Sequence, residues 1–289
     1  MQQNLLILRF PAMQTKNIFL LLFLLLSANC YSQKSSRNKK LPPGTIQIND
    51  TLFVDKTEVA NIHWREYLYW LSQNKTESEY LKALQDTAVW VADSLTRPFI
   101  QYYHRHPGYN NYPAVGISYQ QAVEFCKWRT RAVNLGAYLE EKKFEDPEEH
   151  FNDSFQIKFY YRLPTLQEWE MVSGGTLDIL DFPYGTKDIS PFWKRKKSKA
   201  FNCIYPDENS SLDSLGKRNY NTAVVNSFYP NMFGCYNMIG NVAEMVSEKG
   251  IAKGGSYIHS LDSCKISINQ LYTKPERWLG FRCVAIKTQ

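Results

Sequence analysis

GCYNMIGNVAEMVSEKGIAKGGSYIHSLDSC, from Gly234 to Cys264, and WLGFRCVAIK, from Trp278 to Lys287, are the stretches that decide the fold. Two glycine-bearing pairs, Gly240-Asn241 and Gly254-Gly255, set tight turns among apolar and aromatic residues. Glycine and asparagine supply the left-handed backbone that such turns need. Polar groups held against apolar ones by tight turns describe a rigid, loop-built site rather than a helix or a plain hairpin. The rest of the chain reads as support for that site.

The chain has 289 residues, 44% hydrophobic and 15% aromatic, enough for one large core, and no Gly/Ser- or Pro-rich linker divides it. Its formal charge is +6, part of it in RNKK at Arg37 to Lys40 and RKKSK at Arg195 to Lys199. Neither run forms a basic stripe interleaved with stacking aromatics, which argues against a nucleic-acid partner.

Lys16, the apolar run Ile18 to Leu26 and SANCYSQK have the layout of a secretory signal, and Met13 suits it better as a start than Met1. The apolar run is too short to span a bilayer. Residues 1–32 are therefore expected to be a signal peptide, 33–44 a polar tether and 45–289 the folded domain. Cys30 has two readings, a lipidated anchor or part of a leader cleaved after Ser32. Both place the protein outside the cytoplasm, in the periplasm, at the outer membrane or secreted. Five cysteines then remain, Cys126, Cys203, Cys235, Cys264 and Cys283, an odd number whose pairing spacing alone does not give.

TIQINDTLFVDKTEV alternates as half-buried strands do, with Asn49-Asp50 as the turn of a hairpin. Trp64, Leu68 and Leu71 recur at helical spacing, with Asn61 as the expected cap. His104 and His106 lack a third ligand nearby and read as part of a surface loop. Val115 and Ile117 suggest a strand leading to a helix capped by Ser118, with Cys126 on its buried side. Asn134 to Phe155, acidic and polar, reads as a solvated insertion. Thr165 and Glu168 form a capping box for LQEWEMV, and Arg162 and Glu168 are read as structural. No Walker loop, HExxH helix or GxSxG elbow is present.

NMIGNVAE at Asn237 to Glu244, KGGSY at Lys253 to Tyr257 and GFRC at Gly280 to Cys283 resemble the signature of the formylglycine-generating enzyme, or sulfatase-modifying factor, family. VDKTEVANIHWREYL, YPAVGISYQQAVEFCKW and YRLPTLQEWE extend the resemblance over nearly all of the mature chain. It implies an α+β, C-type-lectin-like fold with little regular secondary structure, a few helices packed on short antiparallel sheets. It also implies a Cys126–Cys283 disulfide, with Cys203–Cys235 a weaker pairing.

Two calcium sites belong to the family pattern. One would use Asn202 and the main chain of Cys203, but its acidic position falls on Lys217, which a calcium ion disfavours. The other matches Asn237 and Glu244 with the carbonyls of Gly240 and Val242, a loop able to offer several hard oxygens. The alternative is that Asn237 and Asn241 stabilise the turn while Glu244 accepts a backbone N–H.

Active relatives resemble one another in oxidising a substrate cysteine with copper held by two thiolates near GGS. Here Cys264 matches the second and His259 stands at the first, so the paired thiolate that soft copper prefers is missing. Ala243, Met245 and Ser263 also replace aromatic positions of the family pattern. Two readings follow. In the first, a catalytically degenerate domain serves as a structural or binding component of the cell envelope, with Tyr257, His259 and Trp278 on its binding surface and envelope proteins as partners. The resemblance here is to lipoproteins of gliding motility and type-nine secretion, and a peptide or glycan ligand also suits the cleft. In the second, His259 and Cys264 hold a metal and oxidise a thiol.

Overall fold

The computed structural model describes residues 41–91, 95–143, 154–187, 201–204 and 221–288. The expected signal peptide, Cys30, RKKSK and Lys217 lie outside them. Strands β1 (Thr45–Gln47) and β2 (Leu52–Asp55) form the expected hairpin, with Thr45 opposite Asp55. The Asn49 side-chain oxygen accepts from the backbone N–H groups of Thr51 and Leu52 and closes the turn. β2 departs from alternation, because all four of its residues are buried. It sits between β1 and β8 (Val284–Lys287), while β8 also pairs with β3 (Phe159–Arg162), giving the antiparallel order β1-β2-β8-β3.

The second sheet runs β6-β5-β4-β7, with β4 at Ala243–Met245, β5 at Ile251–Lys253, β6 at Asn269–Leu271 and β7 at Leu279–Gly280. Its β4–β7 pair is parallel, Ala243 opposite Leu279, where an antiparallel sheet was expected. β7 arrives from a loop rather than from a hairpin partner, so turn geometry does not dictate its direction.

Helix α1 (Asn61–Asn74) buries Trp64, Tyr67 and Leu71. Trp64 stacks on Phe125 at 5.4 Å and meets Phe281 edge-on at 6.0 Å, which joins α1, α4 and the GFRC segment in one core. Asn61 is not the cap: Ala60 holds that position, and the buried Asn61 amide donates to the carbonyls of Tyr103 and Tyr109 at 3.1 Å. Two short helices follow, α2 (Glu77–Ala83) and α3 (Arg97–Tyr102).

Val115 and Ile117 are buried but form no strand; Ala114 N–H donates to Val59 and Gly116 N–H to Glu276, so this segment's bonds go to loops. Helix α4 (Tyr119–Lys142) starts at the Ser118–Gln121 capping box and continues well past Asn134. Leu135 and Leu139 are buried, and Asn134 accepts from Lys158 and Phe159 N–H while donating to the Phe159 carbonyl. The acidic stretch thus begins as a helix that clamps β3; residues 144–153 lie outside the described set. Helix α5 (Leu166–Gly174) opens on the Thr165–Glu168 box, and Arg162 grips Glu168 through two 2.7 Å bonds.

His104 is buried, not on a surface loop, and neither of its ring nitrogens has a partner. Burial lowers it from the ordinary 6.5 to about 3, with Arg105 a smaller cause. Between those values the unfolded chain binds a proton that the folded chain does not, so stability is full above pH 6.5 and falls as the pH drops toward 3. His104→Phe keeps the ring and removes this penalty. Denaturant titrations at pH 7 and 4.5 should show a shallower acid loss for the variant; equal losses would remove His104 from the acid response.

Candidate functional site

The two glycine turns come together. Gly240 N–H donates to the Gly254 carbonyl at 2.8 Å, and Tyr257 N–H to the Asn241 carbonyl at 3.0 Å. Gly240 and Asn241 lie at φ +77° and +61°. A side chain at Gly240 would meet the Asn202 carbonyl at 2.6 Å, so the turn admits no other residue without displacing that strand bridge. Asn202 braces it further: its carbonyl accepts from Asn241 N–H and its amide donates to Asn241 Oδ1.

Beneath the turns lies a buried polar layer. Glu244, on β4, accepts from Arg282 through both carboxylate oxygens at 2.5 and 2.6 Å, and from Trp169 Nε1 of α5 at 2.7 Å. Arg282 also donates to the carbonyls of Asp55 and Tyr236. Glu58, 1% exposed, accepts from Asn241 Nδ2 at 2.7 Å and Asn237 Nδ2 at 3.2 Å. Burial pushes Glu58 up to about 8, with Arg282 opposing and Glu244 reinforcing the shift.

This layer tests the expected calcium ligands. Asn237 fits, because its Oδ1 is buried and has no partner. Glu244 does not fit: its carboxylate is spent on Arg282 and Trp169, and a calcium ion there would face a guanidinium. Asn237, Gly240, Val242 and Glu244 therefore do not form a calcium site as a set. Among the described residues no group of three or more His, Cys, Asp or Glu is arranged to hold a metal ion.

His259 and Cys264 flank a short 3-10 turn (Leu261–Cys264) that Ser260 caps. His259 Nδ1 lies 2.7 Å from Ser256 Oγ, and its ring meets Trp278 edge-on at 5.0 Å. Burial lowers the His259 pKa. Cys264 is fully buried, its sulfur so close beneath Gly255 that a side chain there would stand 2.3 Å away. Copper(I) prefers a pair of thiolates, and here an imidazole engaged by Ser256 stands at one position while the thiol at the other is sealed under a turn. The residues do not fit the ion.

Tyr257 is 1% exposed and so is no surface residue; the contact with Asn241 draws it between the turns. His259 and Trp278 are half-buried. Cys126 and Cys283 are buried thiols with sulfurs 3.6 Å apart. Cys203 and Cys235 are also buried thiols of one core cluster, and burial pushes Cys235 up to about 11. Glu58 and Arg282 escaped the sequence reading as site residues. For Arg282 the signal was a charged residue inside an otherwise apolar run, GFRCVA; Glu58, directly after Asp55, Lys56 and Thr57, carried no such signal.

The sequence profile described as "Sulfatase-modifying factor enzyme 1-like domain" matches residues 23–287. Formylglycine-generating enzyme of Thermomonospora curvata is 28% identical over 138 residues, covering 48% of this chain and 34% of that protein. The Mus musculus enzyme of the same name is 26% identical over 208 residues, covering 61% and 45%. Inactive C-alpha-formylglycine-generating enzyme 2 of Bos taurus is 23% identical over 190 residues, covering 60% and 50%. The chain thus spans from a third to a half of these relatives' length. Among solved structures, CarF aligns with a TM-score of 0.49 at 18% identity over 85% of this chain and 96% of that one.

Proposed function

The chain belongs to the sulfatase-modifying factor enzyme 1-like domain family, and from that premise we propose that it is a catalytically inactive member acting as an exported structural or binding component of the cell envelope. The observation that carries this reading is the state of the His259–Cys264 pair. An imidazole occupies the place of one expected thiolate and is engaged by Ser256, and the remaining thiol lies under Gly255. Proteins named as inactive formylglycine-generating enzymes among its relatives give the reading a precedent.

What remains is a rigid platform. The cross-linked turns and the Glu244–Arg282 pair hold the loops without a regular sheet edge, and His259 and Trp278 present a half-buried aromatic patch beside them. Pre-ordered loops of this kind bind partners at small entropic cost. The partner proposed is an envelope protein, with gliding-motility or type-nine secretion machinery as the setting, and a peptide or glycan as an alternative ligand.

Anaerobic titration of the purified chain with copper(I), followed by a cysteine-containing peptide and oxygen, tests this. Neither tight binding nor peptide oxidation is expected. Stoichiometric binding abolished by Cys264→Ser, together with oxidation of the peptide, would overturn the proposal in favour of a His/Cys oxidase.

A further inference from the structure

The loop from Asn231 to Cys235 closes on itself and is pinned to the end of helix α5. Asn231 N–H donates to the Cys235 carbonyl and Gly234 N–H to the Asn231 carbonyl, while the Asn231 side-chain oxygen accepts from Phe233 and Cys235 N–H. Two contacts then reach the helix. Asn231 Nδ2 donates to the Val172 carbonyl at 2.7 Å, one of the last-turn carbonyls that a helix leaves without an internal partner. Thr176 N–H, which a continuing helix would send to Val172, donates instead to Met232 Sδ at 3.2 Å, and Thr176 Oγ1 lies 3.6 Å from the same sulfur. The thioether occupies the space above Gly175: a Cβ there would stand 2.2 Å from Sδ, and the φ of +65° favours glycine.

This sulfur is a structural acceptor that solvent can reach. Met232 is 57% exposed, whereas Met238 and Met245 are buried; Met171, at 43%, is the other exposed methionine among the described residues. A thioether is a weak acceptor, and its polarizable lone pairs are open to oxidants. Both sides of the contact lead to the buried layer. Trp169 of α5 donates to Glu244, and the Tyr236 carbonyl, just past the loop, accepts from Arg282.

We propose that Met232 is an oxidation site for hydroperoxides, hydrogen peroxide the simplest, and that its conversion to the sulfoxide releases the loop from the end of α5. A lone pair of Sδ attacks one peroxide oxygen, the O–O bond breaks and an S–O bond forms. The sulfur is oxidised by two electrons; the proton on the transferred oxygen passes to the departing hydroxide, and the peroxide is reduced to water. Sulfur already fills the space above Gly175, so the new oxygen does not fit between them and points to solvent. It draws electron density from the sulfur, which then accepts poorly from Thr176, and a polar group replaces the apolar one packed on the glycine. A methionine sulfoxide reductase reverses the change. The site is independent of the reading of His259 and Cys264.

The test treats the full chain with graded hydrogen peroxide under native conditions and follows it by peptide mass mapping and thermal unfolding. Met232 should gain one oxygen while Met238 and Met245 stay unmodified. The unfolding midpoint should fall by about 2–4 °C, the size of one modest contact in a domain of this length, in step with the oxidised fraction at Met232. Methionine sulfoxide reductase should restore it. Met232→Leu, which fills the space without an oxidisable sulfur, should keep its midpoint in peroxide, and Met171→Leu should still lose it. A Met232 that resists peroxide overturns the proposal, and so does a midpoint that holds while Met232 is oxidised or falls equally in Met232→Leu. If Met232→Leu fails to fold, the graded series on the natural chain decides: a midpoint that tracks the sulfoxide at Met171 instead of Met232 overturns the proposal.

Discussion

Arg282→Met is expected to lower the unfolding free energy by about 3–5 kcal/mol, the cost of removing one partner of a buried ion pair. Arg282 is 1% exposed and makes two hydrogen bonds to Glu244 and two to main-chain carbonyls. Burial acts to lower its pKa, but the charge and hydrogen bonds of Glu244 outweigh it and hold the group above the ordinary arginine value. Methionine fills much of the space but leaves Glu244 charged and close to Glu58. The double variant Arg282→Met/Glu244→Gln should recover part of the loss, since it removes the stranded charge along with the cation. Urea unfolding of the four chains in the cycle measures this. A loss below about 1 kcal/mol for Arg282→Met would place the pair among weak, solvated ones and remove it as the anchor of the turns.

Oxidising Cys126 and Cys283 to a disulfide is expected to add about 3–5 kcal/mol. The residues are 157 positions apart, and closing so long a loop in the unfolded chain removes much of its entropy. Both thiols are buried beside the Asp55–Arg129 ion pair, and the contact with Cys283, followed by burial, pushes the Cys126 thiol up. Glutathione disulfide would accept the two electrons and two protons the pair gives up. Chains incubated with it should lose two hydrogens by mass and unfold at higher denaturant, and Cys283→Ser should abolish both changes. An unchanged mass under conditions that expose the core would show that the two sulfurs pack as thiols.

Local features carried much of the legible part. The capping boxes at Ser118 and Thr165 and the Asn49 turn are recognisable because their partners lie within three residues. The glycine turns are recognisable for the same reason, since positive φ is a property of the residue itself. Burial of His104, the extension of α4 past Asn134 and the inward position of Tyr257 were misread. Each depends on what a distant segment covers: Asn134, for instance, looks solvated until β3 docks on it.

By itself the sequence determined the family, the fold class and the missing second thiolate, because these reside in residue identities at short spacing. Tertiary structure alone decided that Glu244 belongs to Arg282, that Asn237 keeps an unpartnered oxygen and that Glu58 lacks a cation of its own. Pairing in a buried layer depends on which groups meet, across 38 residues in the Glu244–Arg282 ion pair and 179 in the Asn237–Glu58 hydrogen bond. Only the assembled core, by excluding water, makes the balance of those charges matter.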